Sequence, residues 1–141
     1  MRSRPYVLYA EDNFTDTVFF RRAFGLLDMD IELIHHSTGI QTRDFLLSRL
    51  EAHQSLPCLI ISDIKMPGLT GLELLEFIRS HSALSHLPVV LMSASAEIRD
   101  IEQAYDYHTS AYIVKPSRYR QLKKLVSALV TFWVRYNRTA A

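Results

Sequence analysis

The chain has 141 residues, about the length of one domain, so a single hydrophobic core is expected. Hydrophobic residues at 48% and charged residues at 22% exclude a disordered chain, and no apolar run approaches the roughly 18 residues of a membrane span. Sixteen Lys and Arg against fifteen Asp and Glu leave a net charge of +1, which excludes a bulk field selecting nucleic acid or an anionic membrane.

The amino terminus, MRSRPYVLYAEDN, meets an acidic pair before any apolar stretch is long enough for an export signal. A cytoplasmic protein is expected, with a mobile MRSR tail. YVLYA (6–10) reads as the first strand, and Val18, Phe19, Ala23, Phe24 and Leu27 form the apolar stripe of the helix after it. IELIHH (31–36) is the second strand, followed by a helix carrying Phe45, Leu46 and Leu50. CLIIS (58–62) precedes the helix GLELLEFIRSH (71–81), and PVVLM (88–92) precedes AEIRDIEQAYDYH (96–108). AYIV (111–114) is the fifth strand, and the last helix runs from near Ser117 through Tyr136.

Several of these strands are nearly continuous apolar runs, the pattern of strands buried on both faces of a parallel sheet. Strand and helix alternate five times, and right-handed crossovers then force a doubly wound α/β domain with a five-stranded parallel sheet. A single domain over 1–141 is expected, with a core of about 5–130, a helical extension at about 131–138 and a mobile NRTAA tail. In such a sheet, ligands bind beyond the carboxyl ends of the strands, at the point where the winding reverses.

The residues expected at those ends are polar and few. Glu11 and Asp12 follow the first strand, Asp63 the third, Ser93 the fourth and Lys115 the fifth. Each has a plainer reading alone: Glu11, Asp12 and Asn13 suit a helix start, Lys115–Pro116 suits a strand-to-helix turn, and Ser93 suits a turn hydroxyl. Their recurrence, each after a different strand, points to a shared cleft. Asp63 emerging beside two other acids is costly unless a cation relieves the repulsion. Carboxylates are hard oxygen ligands suited to Mg²⁺, and Lys115 supplies a second positive charge.

Other features say less. Cys58, the single cysteine, excludes an internal disulfide and reads as a buried strand thiol. The six His residues lack a helix-spaced pair for zinc, which leaves them surface or turn roles. Neither nucleotide-binding glycine fingerprint occurs.

AEDN after the first strand, SDIKMPGLTGLELLEFIR around Asp63, LMSAS after the fourth strand and YIVKP after the fifth together resemble the receiver domain of two-component response regulators. The likeness runs from about Tyr6 to about Leu129. It implies a flavodoxin-like (βα)5 fold similar to the chemotaxis response regulator. It also implies that Asp63 is the phosphoacceptor, taking a phosphoryl group from a sensor histidine kinase or a histidine phosphotransfer protein. Glu11, Asp12, Asp63 and the backbone carbonyl of Lys65 would hold Mg²⁺ or Mn²⁺. Ser93 would be the switch hydroxyl, Tyr112 the switch aromatic, and Lys115 the lysine that contacts the phosphoryl oxygens. The Lys115–Pro116 bond is often cis in that family.

The resemblance implies a stand-alone phosphorylation switch rather than an enzyme. It would act by docking its face of fourth and fifth strands and following helices onto an unknown downstream protein, or as a phosphate shuttle between a kinase and a histidine phosphotransfer protein, without nucleic acid or membrane. Two rival classes are a phosphorylation-independent interaction module and a Mg²⁺-dependent phosphatase with an aspartyl nucleophile. The second is disfavoured by Lys65, which stands where such enzymes place a second acid. His108 and Thr109 replace a Gly-Ala pair usual in the family, so the end of the fourth helix is expected to be built differently. Phe132, Trp133 and Tyr136 form an aromatic stripe that is either core or a partner face. Phytochrome-partnered receivers with similar extensions suggest a homodimer through the fourth-helix, fifth-strand and last-helix face.

Overall fold

The computed structural model describes residues 4–139. Five strands, β1 (Tyr6–Ala10), β2 (Glu32–His36), β3 (Leu59–Asp63), β4 (Val89–Ser93) and β5 (Ala111–Val114), form one sheet in the order β2-β1-β3-β4-β5, with every pairing parallel. Between them run α1 (Phe14–Gly25), α2 (Gly39–Glu51), α3 (Gly71–Ser80) and α4 (Ile98–Asp106), and α5 (Tyr119–Val130) closes the series. The architecture is the expected doubly wound (βα)5 sheet.

Successive residues of a strand point to opposite faces, so each central strand serves two cores. Val7 and Tyr9, Leu59 and Ile61, and Val90 and Met92 pack under α1 and α5 with Phe20, Phe24, Val126 and Leu129. Leu8 and Ala10, Ile60, and Val89 and Leu91 pack on the other face with Leu46, Leu74, Leu75 and Ile78. Covering both faces explains why β1, β3 and β4 are buried at every position and read as unbroken apolar runs. The winding reverses between β1 and β3, which places the cleft beside the carboxyl ends of those two strands.

The structure corrects several expectations. Strands β3 and β4 each run one residue further than expected, so Asp63 and Ser93 are the final residues of their strands. Along α1 the buried face is Thr17, Phe20, Ala23 and Phe24, while Val18 and Phe19 are exposed. Phe20 rather than Phe19 turns inward because its ring stacks on Tyr9 at 4.0 Å. Cys58 lies just before β3, half-buried, and its thiol donates to the Tyr6 carbonyl at 3.2 Å. No peptide bond among the described residues is cis, so Lys115–Pro116 is trans.

Residues 1–3 and 140–141 of the two tails lie outside the described residues, and Arg4 Nε lies 2.9 Å from Asp30 Oδ1 in an exposed ion pair. The last helix also differs from expectation. The last helix starts at Tyr119 and changes at Thr131 into a π-helix, η1 (Thr131–Tyr136), with the Asn137 N–H donating to the Phe132 carbonyl at 2.7 Å. This wider turn brings the consecutive residues Trp133 and Val134 onto the core and leaves Phe132 and Tyr136 outside. The aromatic stripe therefore divides: Trp133 packs half-buried against the core, and Phe132 and Tyr136 are surface.

Candidate functional site

Asp63 ends β3 at the reversal point and is 9% exposed. Its Oδ1 accepts the Ile64 N–H at 2.8 Å, which fixes the carboxylate against its own backbone. The loop after it turns away through Gly68, at φ +79°, and returns so that the Gly71 N–H donates to the Ile64 carbonyl at 2.8 Å. A side chain at Gly71 would collide with the Asp63 carbonyl, so only glycine lets α3 start directly beneath the site.

Glu11 follows β1 and is almost wholly buried, whereas Asp12 is exposed. Carboxylate oxygens of Glu11, Asp12 and Asp63 lie within 4.8 Å of one another. Three hard oxygen donors at that spacing suit a small divalent cation. Lys115, after β5, reaches back across the sheet edge: its Nζ donates to Glu11 Oε1 at 2.8 Å and Asp16 Oδ2 at 3.0 Å, and lies 3.4 Å from Asp63 Oδ1. Its backbone N–H donates to the Ser93 carbonyl at 2.7 Å, which continues the β4–β5 pairing into the site.

The Glu11 carboxyl is raised to about 7: burial and, behind it, the charge on Asp63 push it up against the lowering effects of Lys115 and the Asn13 N–H. For Lys115, burial works to lower the pKa, but the bonds to Glu11 and Asp16 outweigh it and hold the ammonium charged. The site thus keeps a charged lysine among four acids, and burial opposes the ionised form of Glu11.

Ser93 is 4% exposed, and its hydroxyl oxygen accepts the Ser95 N–H at 3.1 Å. Half-buried Tyr112 donates its hydroxyl to the Ser95 carbonyl at 2.9 Å. Ser95 in turn donates its own hydroxyl to Asp100 Oδ2 at 2.6 Å, on the first turn of α4. The exposed Lys65 stands two residues after Asp63, and its carbonyl accepts no hydrogen bond among the described residues. All seven residues singled out in the sequence are therefore near the carboxyl edge of the sheet. Ser93 and Tyr112 meet through Ser95 rather than through the acids.

Three participants were missed by sequence reasoning. Asp16 looked like an ordinary first-turn acid of α1, since Asn13 caps that helix by accepting the Asp16 N–H at 2.9 Å. Ser95 carried a signal in LMSAS but was not separated from Ser93. His35, on β2, places Nε2 2.8 Å from the Glu11 carbonyl oxygen and so braces the acidic turn from the side. No helix-spaced His pair was needed for that role, and His35 and His36 are half-buried strand residues rather than surface ones.

Fold and site together define a class: a doubly wound α/β module gathering acids, a hydroxyl and a lysine at the carboxyl edge of a parallel sheet. Residues 39–127 match the family model described as the response regulator receiver domain, and the chain belongs to that family. It is 29% identical over 133 residues to the probable methanogenesis regulatory protein FilR2 of Methanothrix harundinacea (strain 6Ac), covering 94% of this chain and 86% of that protein. Among solved structures, the phosphorylated cyanobacterial phytochrome response regulator RcpA superposes with a TM-score of 0.88 at 28% identity, over 99% of this chain and 100% of RcpA. The Mn²⁺-bound form of the response regulator Rcp1 follows at 0.85 and 25% identity, over 97% of this chain and 99% of Rcp1. The chain is thus a receiver-domain response regulator of the two-component type, related to regulators of the phytochrome group. Receiver domains are signalling proteins. No helix among the described residues is long and apolar enough to cross a membrane.

Proposed function

We propose that the chain accepts a phosphoryl group on Asp63 from the phosphohistidine of a sensor kinase or histidine phosphotransfer protein, in a divalent-metal-dependent reaction. The observation that carries this reading is the placement of Asp63 beside Glu11 and Asp12 on one side and Lys115 on the other. The fold's likeness to a phosphorylated regulator and to a Mn²⁺-bound one supports it.

An Asp63 carboxylate oxygen attacks phosphorus, the bond from phosphorus to the donor imidazole nitrogen breaks, and the imidazole takes up a proton. The product is an acyl phosphate, which water later hydrolyses to regenerate Asp63. Glu11, Asp12, Asp63 and the Lys65 carbonyl would hold Mg²⁺ or Mn²⁺, which neutralises charge on the transferring oxygens. Lys115 exchanges part of its carboxylate company for phosphoryl oxygens. The new group carries roughly −1.5 to −2 charges, and the Ser93 hydroxyl can donate to it. Because the Ser93 hydroxyl also holds Ser95, and Ser95 holds both Tyr112 and Asp100, movement of one hydroxyl is passed to α4 and β5.

Residues 5–130 act as the receiver core and 131–138 as its extension, working in the cytoplasm where the donor kinase domain lies. The β4-α4-β5-α5 face docks to a downstream protein, and the α4-β5-α5 face with the carboxyl-terminal helix forms a homodimer.

The test is incubation with Mg²⁺ and acetyl phosphate followed by intact-mass measurement. Wild type is expected to gain one phosphoryl group, lost on chelation of the metal before mixing, and Asp63→Asn to gain none. Full labelling of Asp63→Asn would sink the assignment.

A further inference from the structure

All fifteen acidic residues lie before Tyr107, and the last helix carries only cations. Between Ser117 and Arg138 stand Arg118, Arg120, Lys123, Lys124, Arg135 and Arg138, with no Asp or Glu. A molecule of net charge +1 therefore ends in a basic helical segment, and Lys123, Lys124 and Arg135 share one exposed face of it.

That face holds a groove of about 890 Å³ between the carboxyl-terminal ends of α1 and α5 and the π-helix. Ala23, Leu26, Leu27, Ala128 and Phe132 give it an apolar lining, and Lys123, Lys124 and Arg135 stand along it with Asp28 as the one acid lining it. Leu26 is 60% exposed, Phe132 51% and Tyr136 69%, so three large apolar side chains stand open to solvent along one groove. Among the described residues, Lys123, Lys124 and Arg135 join no ion pair. α1 runs back from the sheet's carboxyl edge, so its last turn brings the groove to the opposite edge, away from Asp63.

We infer that this groove is a docking site for an acidic amphipathic helix of a partner protein. A concave apolar slot between two helices takes the i, i+3, i+4, i+7 anchors of a third helix, and the cations beside it meet acids on that helix's flanks. The phosphodiester backbone of a nucleic acid gains nothing from an apolar floor, and a flat membrane surface does not enter a groove.

The test uses the full chain and a labelled synthetic peptide of about 16 residues, some four helical turns, with Leu at the anchor positions and Glu on both flanks. Fluorescence anisotropy is followed in about 0.1 M salt, where only close charges still act. Saturable binding is expected, weakened about tenfold in Lys123→Glu/Lys124→Glu and in Phe132→Ala, as for central contacts of an interface, with wild-type melting and wild-type uptake on Asp63 retained. If Phe132→Ala melts early, Leu26→Ser reads the same floor from the exposed side of α1. Equal binding of a shuffled peptide, or binding indifferent to these variants, overturns the inference. So does self-association abolished by Lys123→Glu/Lys124→Glu, which assigns the groove to a second copy. Binding to phosphatidylglycerol vesicles without binding to the peptide overturns it in favour of a membrane.

Discussion

Glu11 shows how one residue couples the site to the stability of the fold. Folded, it takes up its proton near pH 7, against 4.5 when unrestrained, because burial and the Asp63 charge both oppose its ionised form. Between those values the folded state binds the extra proton, so the stability this group contributes is complete below 4.5 and lost as pH rises through 7. In metal-free protein the change is on the order of a few kcal/mol. Urea unfolding in chelator at pH 5 and pH 8 is expected to show a larger loss for wild type than for Glu11→Gln, with Mg²⁺ restoring wild type at the higher pH. Equal losses in the two proteins would remove Glu11 as the cause. The acids themselves were legible from their order along the chain. Asp16 and Ser95 were not, because a first-turn acid and a turn serine look the same whether or not a lysine or a tyrosine from a distant strand reaches them.

At the scale of the element, two helices end in the same unusual way. His108, at φ +66°, follows α4: its N–H donates to the Tyr105 carbonyl and the Thr109 N–H to the Ala104 carbonyl, at 2.9 and 3.1 Å. His53, at φ +54°, closes α2 by the same pattern on Leu50 and Arg49. This is a Schellman ending, which normally uses glycine. The expectation that losing glycine would change the end of α4 is therefore wrong: the ending is kept, and a left-handed histidine bears the strain. Arg79 helps hold it, donating Nε to the His108 carbonyl at 2.9 Å and an NH group to the Leu87 carbonyl at 2.7 Å. His108→Gly is expected to stabilise by about 1 kcal/mol, the relief of a side chain from the left-handed region less the added freedom of the unfolded chain. Chemical denaturation checks the value; a loss of stability would mean that the imidazole contributes more than its backbone costs. Strand centres were legible from apolar runs, but their ends were displaced by one residue. Asp63 and Ser93 still pair with Met92 and Val114 although they look like loop residues.

Across the whole molecule, the last helical segment serves both core and surface. Trp133 and Val134 pack against the cluster under α1 and α5, so truncation after Val130 is expected to lower stability by about 2 kcal/mol or more. Thermal melting measures this. Size exclusion on the same pair of proteins addresses the proposed homodimer: a dimeric full chain and a monomeric truncation support a contact through the extension, and an unchanged monomeric mass in both removes it. Charge is similarly divided, with α4 bearing Asp100, Glu102 and Asp106 and α5 bearing only cations.

By itself, the order of residues determined the alternating architecture, the burial of the sheet on both faces, and the identity of the acids, hydroxyl and lysine at the strand ends. Each of those follows from short-range periodicity, or from position relative to a strand. Only the tertiary structure decided which side chains meet: that Lys115 is shared by Glu11, Asp16 and Asp63, that Ser93 reaches Tyr112 through Ser95, and that Phe132 lies outside while Trp133 packs against the core. The reason is that hydrogen bonds and the sense of a helical turn depend on distances between segments far apart in the chain, and the winding of the sheet sets those distances.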